Sequence, residues 1–191
     1  MGSIYLIRHG APALPYKGHR FLGRTDYPLS EEGRRALGKL SGYFREKGIA
    51  RVYSGPLFRA LETAREVFGA ERRVEVVPAL TEIEMGNWEG LTRTEVESKF
   101  PGEYELRGAR MADYAPPGGE SFRDVQKRSL AALRDIARGA GDAAIVTHAG
   151  VIRCVTCELR GIPLEDLFTV EVPYGGVTRI ISENDVMLLA R

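Results

Sequence analysis

The chain reads as an α/β fold built on a mostly parallel sheet. Two strand-length apolar runs, Ile4-Tyr5-Leu6-Ile7 and Ala143-Ala144-Ile145-Val146, lack the polar alternation of a half-exposed strand, as expected where helices cover both faces of a sheet. Around them strand-like and helix-like segments alternate, the order that builds α/β folds. Each run is followed by a histidine, in Arg8-His9-Gly10-Ala11 and in Thr147-His148-Ala149-Gly150. Two imidazoles therefore meet at the edge where open α/β sheets hold ligands.

The elements follow in order. Residues 4–7 form the first strand. Leu29-Ser30-Glu31-Glu32 marks a helix start, with Ser30 as N-cap and two acids facing the positive end of the helix dipole. Leu37, Leu40 and Phe44 share one face of it and Gly48 ends it. Arg51-Val52-Tyr53-Ser54 is the second strand, and Pro56 opens a helix with the core stripe Leu57, Leu61, Ala64 and Phe68, leaving Arg59 off that stripe in the first turn. Residues 74–77 read as a third strand. Phe122, Val125, Ser129, Ala132, Leu133 and Ile136 mark a long amphipathic helix, with Ser121 at the N-cap position, and a fourth strand over 143–147 leads into a helix over 150–159. Residues 167–172, 177–182 and 186–189 read as edge strands joined by turns at Pro173-Tyr174-Gly175-Gly176 and Glu183-Asn184-Asp185. Residues 91–119, with Pro101, Pro116, Pro117, Gly118 and Gly119, read as an insertion over one end of the sheet. At 191 residues, with no repeat or linker, one catalytic domain over 1–191 is expected.

Composition narrows the function classes. Lys+Arg 27 against Asp+Glu 26 gives a formal net charge of +1, so no global field recruits nucleic acid or anionic membrane. Any attraction for phosphate is local. No apolar stretch approaches the roughly 20 residues of a bilayer span, and Met1-Gly2-Ser3 lacks a basic leader; a cytoplasmic protein is expected. Cys154 and Cys157 are too few for a disulfide framework. Cys154 with Arg160 matches the C-x5-R spacing of thiolate phosphatases, yet the intervening residues hold no glycine to curl around an anion. Both read as buried helix cysteines. The Asp residues are scattered and no D-x-D pair occurs, so neither metal nor cofactor is expected.

The remaining polar residues suit phosphoryl transfer. A phosphomonoester carries close to two negative charges and hydrolyses very slowly unaided, so catalysis needs charge clamping and a nucleophile. Arg8 and Arg59 each follow a strand and can offer a bidentate fork to two phosphate oxygens, with His148 adding a donor if protonated. A neutral His9 can attack phosphorus and form a phosphohistidine. Glu82 can protonate the leaving alkoxide and then activate water, a role for which Glu84 and Glu89 are rivals.

Four segments carry a resemblance: Leu6-Ile7-Arg8-His9-Gly10, Ser54-Gly55-Pro56-Leu57-Phe58-Arg59-Ala60-Leu61-Glu62-Thr63-Ala64, residues 82–90, and Thr147-His148-Ala149-Gly150. Together with Asp26-Tyr27-Pro28-Leu29-Ser30-Glu31-Glu32-Gly33 they resemble the histidine phosphatase superfamily, in the branch of the cofactor-dependent phosphoglycerate mutases. The resemblance implies a three-layer α/β sandwich, a phosphorylated His9, phosphate contacts from Arg8, Arg59, His148 and the Ala149 region, and Glu82 as the acid in preference to Glu84 and Glu89. Two departures stand out: Ala11 replaces the Glu of R-H-G-E, and Pro15 falls where relatives carry a phosphate-contacting Asn. His19, Arg24 and the Gly23 amide are candidates for that corner of the pocket. Gly23-Arg24-Thr25-Asp26 and Pro117-Gly118-Gly119-Glu120-Ser121 are similar to α-ribazole phosphatases, which makes α-ribazole phosphate the first substrate choice. Glu120 and Ser121 either cap the long helix or touch substrate, and Trp88 and Met85 are read as packing. The expected activity is a metal-independent phosphatase acting on a small phosphorylated metabolite; a phosphoglycerate mutase and a non-catalytic phosphate-binding module are the alternatives.

Overall fold

The computed structural model describes residues 2–183 and 186–190. Among them, six strands form one sheet: β1 (Gly2–Arg8), β2 (Arg51–Ser54), β3 (Glu75–Val76), β4 (Ala143–Thr147), β5 (Val177–Glu183) and β6 (Val186–Leu189), in the order β3-β2-β4-β1-β5-β6. β3, β2, β4 and β1 run parallel, whereas β5 pairs antiparallel with both β1 and β6. Alternation along β1 feeds two cores. Ile4 and Leu6 point into one with Ala143 and Ile145 of β4; Tyr5 and Ile7 point into the other with Ala144 and Val146.

Helices cover both faces, giving the three-layer arrangement. On one side lie α1 (Glu31–Ala36), α2 (Gly38–Arg45) and α3 (Phe58–Phe68), where Phe44 meets Tyr5 edge-on at 5.3 Å. On the other lie α6 (Phe122–Ala137) and α7 (Ala149–Arg160), packed on each other and closed by Trp88, Val125, Leu133 and Ile152. Residues 91–119 contribute α4 (Arg93–Lys99) and α5 (Glu103–Ala109), with α4 opened by a Thr92–Glu95 capping box. The same device opens α6, through Ser121 and Asp124. Among the described residues no helix is long and apolar enough to cross a membrane.

Several expected elements are corrected. The helix begun by Ser30 is two helices, because the Leu37 amide bonds back three residues to Arg34 and tightens the turn. Residues 74–77 shrink to a two-residue edge pairing, since Pro78 starts a 3-10 turn there. Residues 167–172 are no strand: a 3-10 turn spans Leu164–Thr169, and its Leu164 and Leu167, three apart, share one buried face. The carbonyls of Val170 and Val172 then accept from Arg153 Nε and Arg8 Nη1 instead of from a neighbouring strand. On α3 the buried face is Arg59, Ala60, Glu62, Thr63, Ala64 and Val67, rotated from the expected stripe of Leu57, Leu61, Ala64 and Phe68. The expected turn at Glu183-Asn184-Asp185 includes residues outside the described ones.

Leu133, 1% exposed within the α6 face of the core, tests this packing. Leu133→Ala is expected to lower unfolding free energy by about 2–5 kcal/mol, read from urea unfolding.

Candidate functional site

Because β1, β2 and β4 are parallel, their C-terminal ends meet at one edge, and the residues just beyond them share a space. A cavity of about 420 Å³ opens there, lined at its inner end by Arg8, His9, Arg59, Glu82, Ala149 and Gly150. A hollow of similar size lies between the C-terminal ends of α2 and α3, at the opposite sheet edge. Among the described residues it gathers no histidine.

His9 is 5% exposed. Its amide donates to Thr147 O at 3.0 Å, and its ring Nδ1 lies 2.8 Å from Gly10 O, so Nδ1 carries the proton and Nε2 keeps its lone pair. His148 is wholly buried, 5.1 Å from His9 ring to ring, with both ring nitrogens unpartnered. Arg8 lays its guanidinium on the Tyr174 ring at 3.8 Å, and Tyr174 also flanks His9 at 5.5 Å. Tyr174 escaped sequence reasoning because its segment reads only as a turn. That turn is docked by Gly175 N–H on the Arg8 and His9 carbonyls.

Arg59 is 2% exposed, although it lies off the predicted apolar stripe. Nη1 donates to Thr25 O at 2.8 Å and Asp26 Oδ1 at 3.2 Å, and Nη2 to Gly23 O at 2.7 Å. Of its five N–H groups, Nε–H and one on Nη2 remain free. Asp26 also accepts from the amides of Phe58 and Arg59, capping a helix whose own N-cap residue, Leu57, offers no side-chain acceptor. Thr63, one turn on, takes Gly10 N–H at 2.9 Å and donates to Arg59 O at 2.7 Å. Neither Asp26 nor Thr63 stood out as a site residue, since short polar side chains read as surface.

Glu82 is held from both ends. Its carboxylate accepts from the Ile83 amide at 2.9 Å and the Gly150 amide at 3.2 Å. Position 150 must be glycine for this, because a Cβ there would fall 2.3 Å from Glu82 Oε1. Arg128 of α6 clamps the backbone beneath, donating to the carbonyls of Ala79, Thr81 and Glu82, and is itself gripped by Glu120 at 3.0 and 3.1 Å. Glu120 also accepts from Glu84 N–H and Arg24. Ser121 therefore caps α6, while Glu120 anchors an arginine cluster.

The same contacts sort the rivals. Glu84 pairs with Arg24 at 2.7 Å, and Glu89 accepts from the amides of Gly23, Arg24 and Thr25. Of the three, only Glu82 lines the cavity. The expected phosphate contact of Gly23 is corrected: its amide is held by Glu89 and its carbonyl by Arg59, so it backs Arg59. Arg24 is likewise committed to carboxylates, whereas His19 lines the cavity and Ala149 begins α7 at its wall. Trp88 and Met85 are buried packing. Cys154 is buried, and burial drives its thiol pKa far up, which removes thiolate chemistry. Among the described residues no three His, Cys, Asp or Glu side chains converge as metal ligands.

Burial, then the Arg59 and Arg8 charges, push the His9 pKa down to about 3. Burial, then His9 and Arg59, hold His148 well below the ordinary imidazole range. Both rings are neutral near pH 7, so the donor that His148 offers in the free protein is the one N–H of a neutral ring. Unfolded imidazoles take a proton near pH 6.5 and these do not, so stability present above that pH is lost as pH falls toward 3. The His9 ring should subtract up to about 1.4 kcal/mol per pH unit in that window, and His148 acts in the same direction. Urea unfolding from about pH 7 to 4 should show a shallower decline in His9→Gln than in the unaltered protein.

Comparison with known proteins agrees with this geometry. A family model described as the histidine phosphatase superfamily (branch 1) matches residues 4–191. The chain is 31% identical over 182 residues to 6-phosphofructo-2-kinase/fructose-2,6-bisphosphatase of Caenorhabditis elegans, covering 93% of this chain and 38% of that one. It spans about two fifths of the length of the curated relatives it matches first. Among solved structures, Bacillus stearothermophilus YhfR is 31% identical with a TM-score of 0.88, covering 100% of this chain and 96% of that one. The α-ribazole phosphatase of Shigella flexneri, at 24% identity and TM-score 0.87 over 98% and 94% of the two chains, shares the fold. The chain belongs to the histidine phosphatase superfamily, branch 1.

Proposed function

We propose that this chain is a phosphomonoesterase in which His9 takes the phosphoryl group from a small phosphorylated metabolite and passes it to water. One observation carries the reading: of the buried side-chain nitrogens without partners among the described residues, Arg8 Nε, Arg59 Nε and the two of His148 gather about His9. Buried donors left unpaired cost free energy, and a tetrahedral dianion supplies acceptors for the two Nε–H groups and the one N–H of neutral His148. It also raises the proton affinity of His148, which turns a single donor into a charged one.

The chemistry follows from the same contacts. His9, neutral and fixed with Nε2 unprotonated, attacks phosphorus in line with the ester oxygen. Arg8 and Arg59 each keep Nε–H and an Nη2 N–H for two phosphate oxygens, a planar fork held in place by Nη1 of Arg8 on Val172 O and by the Arg59 bonds to Thr25, Asp26 and Gly23. Glu82 gives its proton to the leaving alkoxide, then removes one from water attacking phospho-His9. Positive charge comes from guanidinium groups, with no metal in the scheme. The α-ribazole motif residues Gly23, Arg24 and Glu120 support Arg59 and Glu82 from behind, so α-ribazole phosphate is one ester among a panel.

Two outcomes are expected. Glu82→Gln with p-nitrophenyl phosphate should accumulate a phosphoenzyme, because nitrophenolate leaves without a proton whereas water attack still needs a base. An alkaline quench should find acid-labile label on His9; its absence, in Glu82→Gln and in the unaltered protein, refutes the scheme. Turnover without a bisphosphoglycerate primer excludes an obligate mutase, and no turnover of any ester leaves the non-catalytic module. Arg128→Met should lower kcat more than tenfold, over about 1.4 kcal/mol, with smaller change in KM, since Arg128 bonds the backbone around Glu82 and the Glu120 carboxylate and does not line the cavity; Arg128→Lys should restore part of it.

A further inference from the structure

The two guanidinium groups beside His9 are anchored unequally. Arg59 donates to Thr25 O, Asp26 Oδ1 and Gly23 O, and those bonds fix its plane. Among the described residues the Arg8 side chain has a single hydrogen bond, from Nη1 to Val172 O, and no ion pair. One bond leaves a guanidinium free to turn about it, yet Arg8 must present the edge that carries its free Nε–H to an anion at His9. Something else has to set the plane.

The ring of Tyr174 is placed to do so. The central carbon of the Arg8 guanidinium lies 3.8 Å from the centre of that ring, contact distance for two flat groups laid on each other. The same ring stands 5.5 Å from the His9 ring, so one aromatic covers a face of the cation and a side of the nucleophile. The turn that carries it is stiff: Pro173 O accepts from Gly176 N–H at 2.9 Å, and Gly175 sits at φ +68°, where other residues are strained. This turn is bonded to the residues that the ring flanks. Arg8 N–H donates to Gly176 O at 3.0 Å, and Gly175 N–H lies 3.1 Å from Arg8 O and 3.3 Å from His9 O. Tyr174 itself is 46% exposed and lines both the phosphoryl cavity and a smaller hollow of about 190 Å³ against α1, so core burial does not hold it. A half-exposed aromatic on a stiff turn adds little to the core, and here its face meets a cation.

We infer that Tyr174 is a positioning residue whose ring fixes the plane of Arg8, so that the Nε edge faces the phosphoryl group. The inference rests on the phosphatase reading only for an anion seated at His9. The ring makes the contact, and the hydroxyl takes no part.

Affinity for orthophosphate, read by calorimetry, tests this without turnover. Tyr174→Leu should weaken binding about tenfold or more and lower kcat/KM for p-nitrophenyl phosphate by a similar factor, whereas Tyr174→Phe, which keeps the ring, should stay within about threefold on both measures. Tyr174→Met replaces the leucine variant should that one not fold. Beside Arg8→Met the leucine substitution should add less than about threefold, and beside Arg59→Met about the full tenfold, since Arg59 has its own anchors. Equal losses in the leucine and phenylalanine variants, no loss in the leucine variant, or a loss undiminished beside Arg8→Met overturns the assignment. Where Arg8→Met leaves too little binding to titrate, the contrast between leucine and phenylalanine decides. Absence of p-nitrophenyl phosphate turnover in the unaltered protein overturns the phosphatase reading instead, and leaves the affinities to decide this one.

Discussion

Desolvated positive charge gathered around one neutral imidazole is the constraint on which the rest depends. Guanidinium groups at half-buried Arg8 and buried Arg59 stand beside His9, and its own burial with their field keeps that ring unprotonated far below neutrality. Such an arrangement is expensive in isolation, because each buried cation and each unpaired N–H loses water that nothing in the free protein replaces. It persists because neighbouring acceptors satisfy several of the other donors: Val172 O for one of Arg8, and Gly23 O, Thr25 O and Asp26 for three of Arg59. The protein thereby keeps only selected edges of each fork available.

Much of the polar chemistry around the site is consequently support. Asp26 serves α3 as a cap from a distant loop while holding Arg59. Thr63 ties the loop after β1 to the same helix. Glu89 gathers three successive amides of the loop that carries Gly23, and Glu120 with Arg128 fixes the backbone bearing Glu82. Carboxylates and arginines are thus divided between those that face the cavity and those that hold the walls. Only contacts distinguish the two groups, since their residue types are the same.

The segment 91–119 shows how a loop-like sequence acquires a role. Its prolines and glycines read as irregular chain, yet two short helices form, one opened by a capping box. Neither has the length to be stable alone in water. Packing of Tyr104 and Phe21 against Trp88 holds this region on the body of the protein, and α5 then carries Arg107 to the cavity mouth.

Local pattern determined the α/β class, the strands at residues 4–7, 51–54 and 143–147, the caps at Ser30 and Ser121, and the placement of His9 and His148 at one sheet edge. These depend on short-range steric and hydrophobic periodicity, which single segments express. The tertiary structure alone decided that Arg59 turns inward from α3, that Gly23 backs an arginine instead of lining the cavity, and that Val170 and Val172 give their carbonyls to arginines. Apolar periodicity carries no information about a polar side chain buried for its partners. Those partners lie tens of residues away in the chain, and they become neighbours only when the parallel strands bring their ends together.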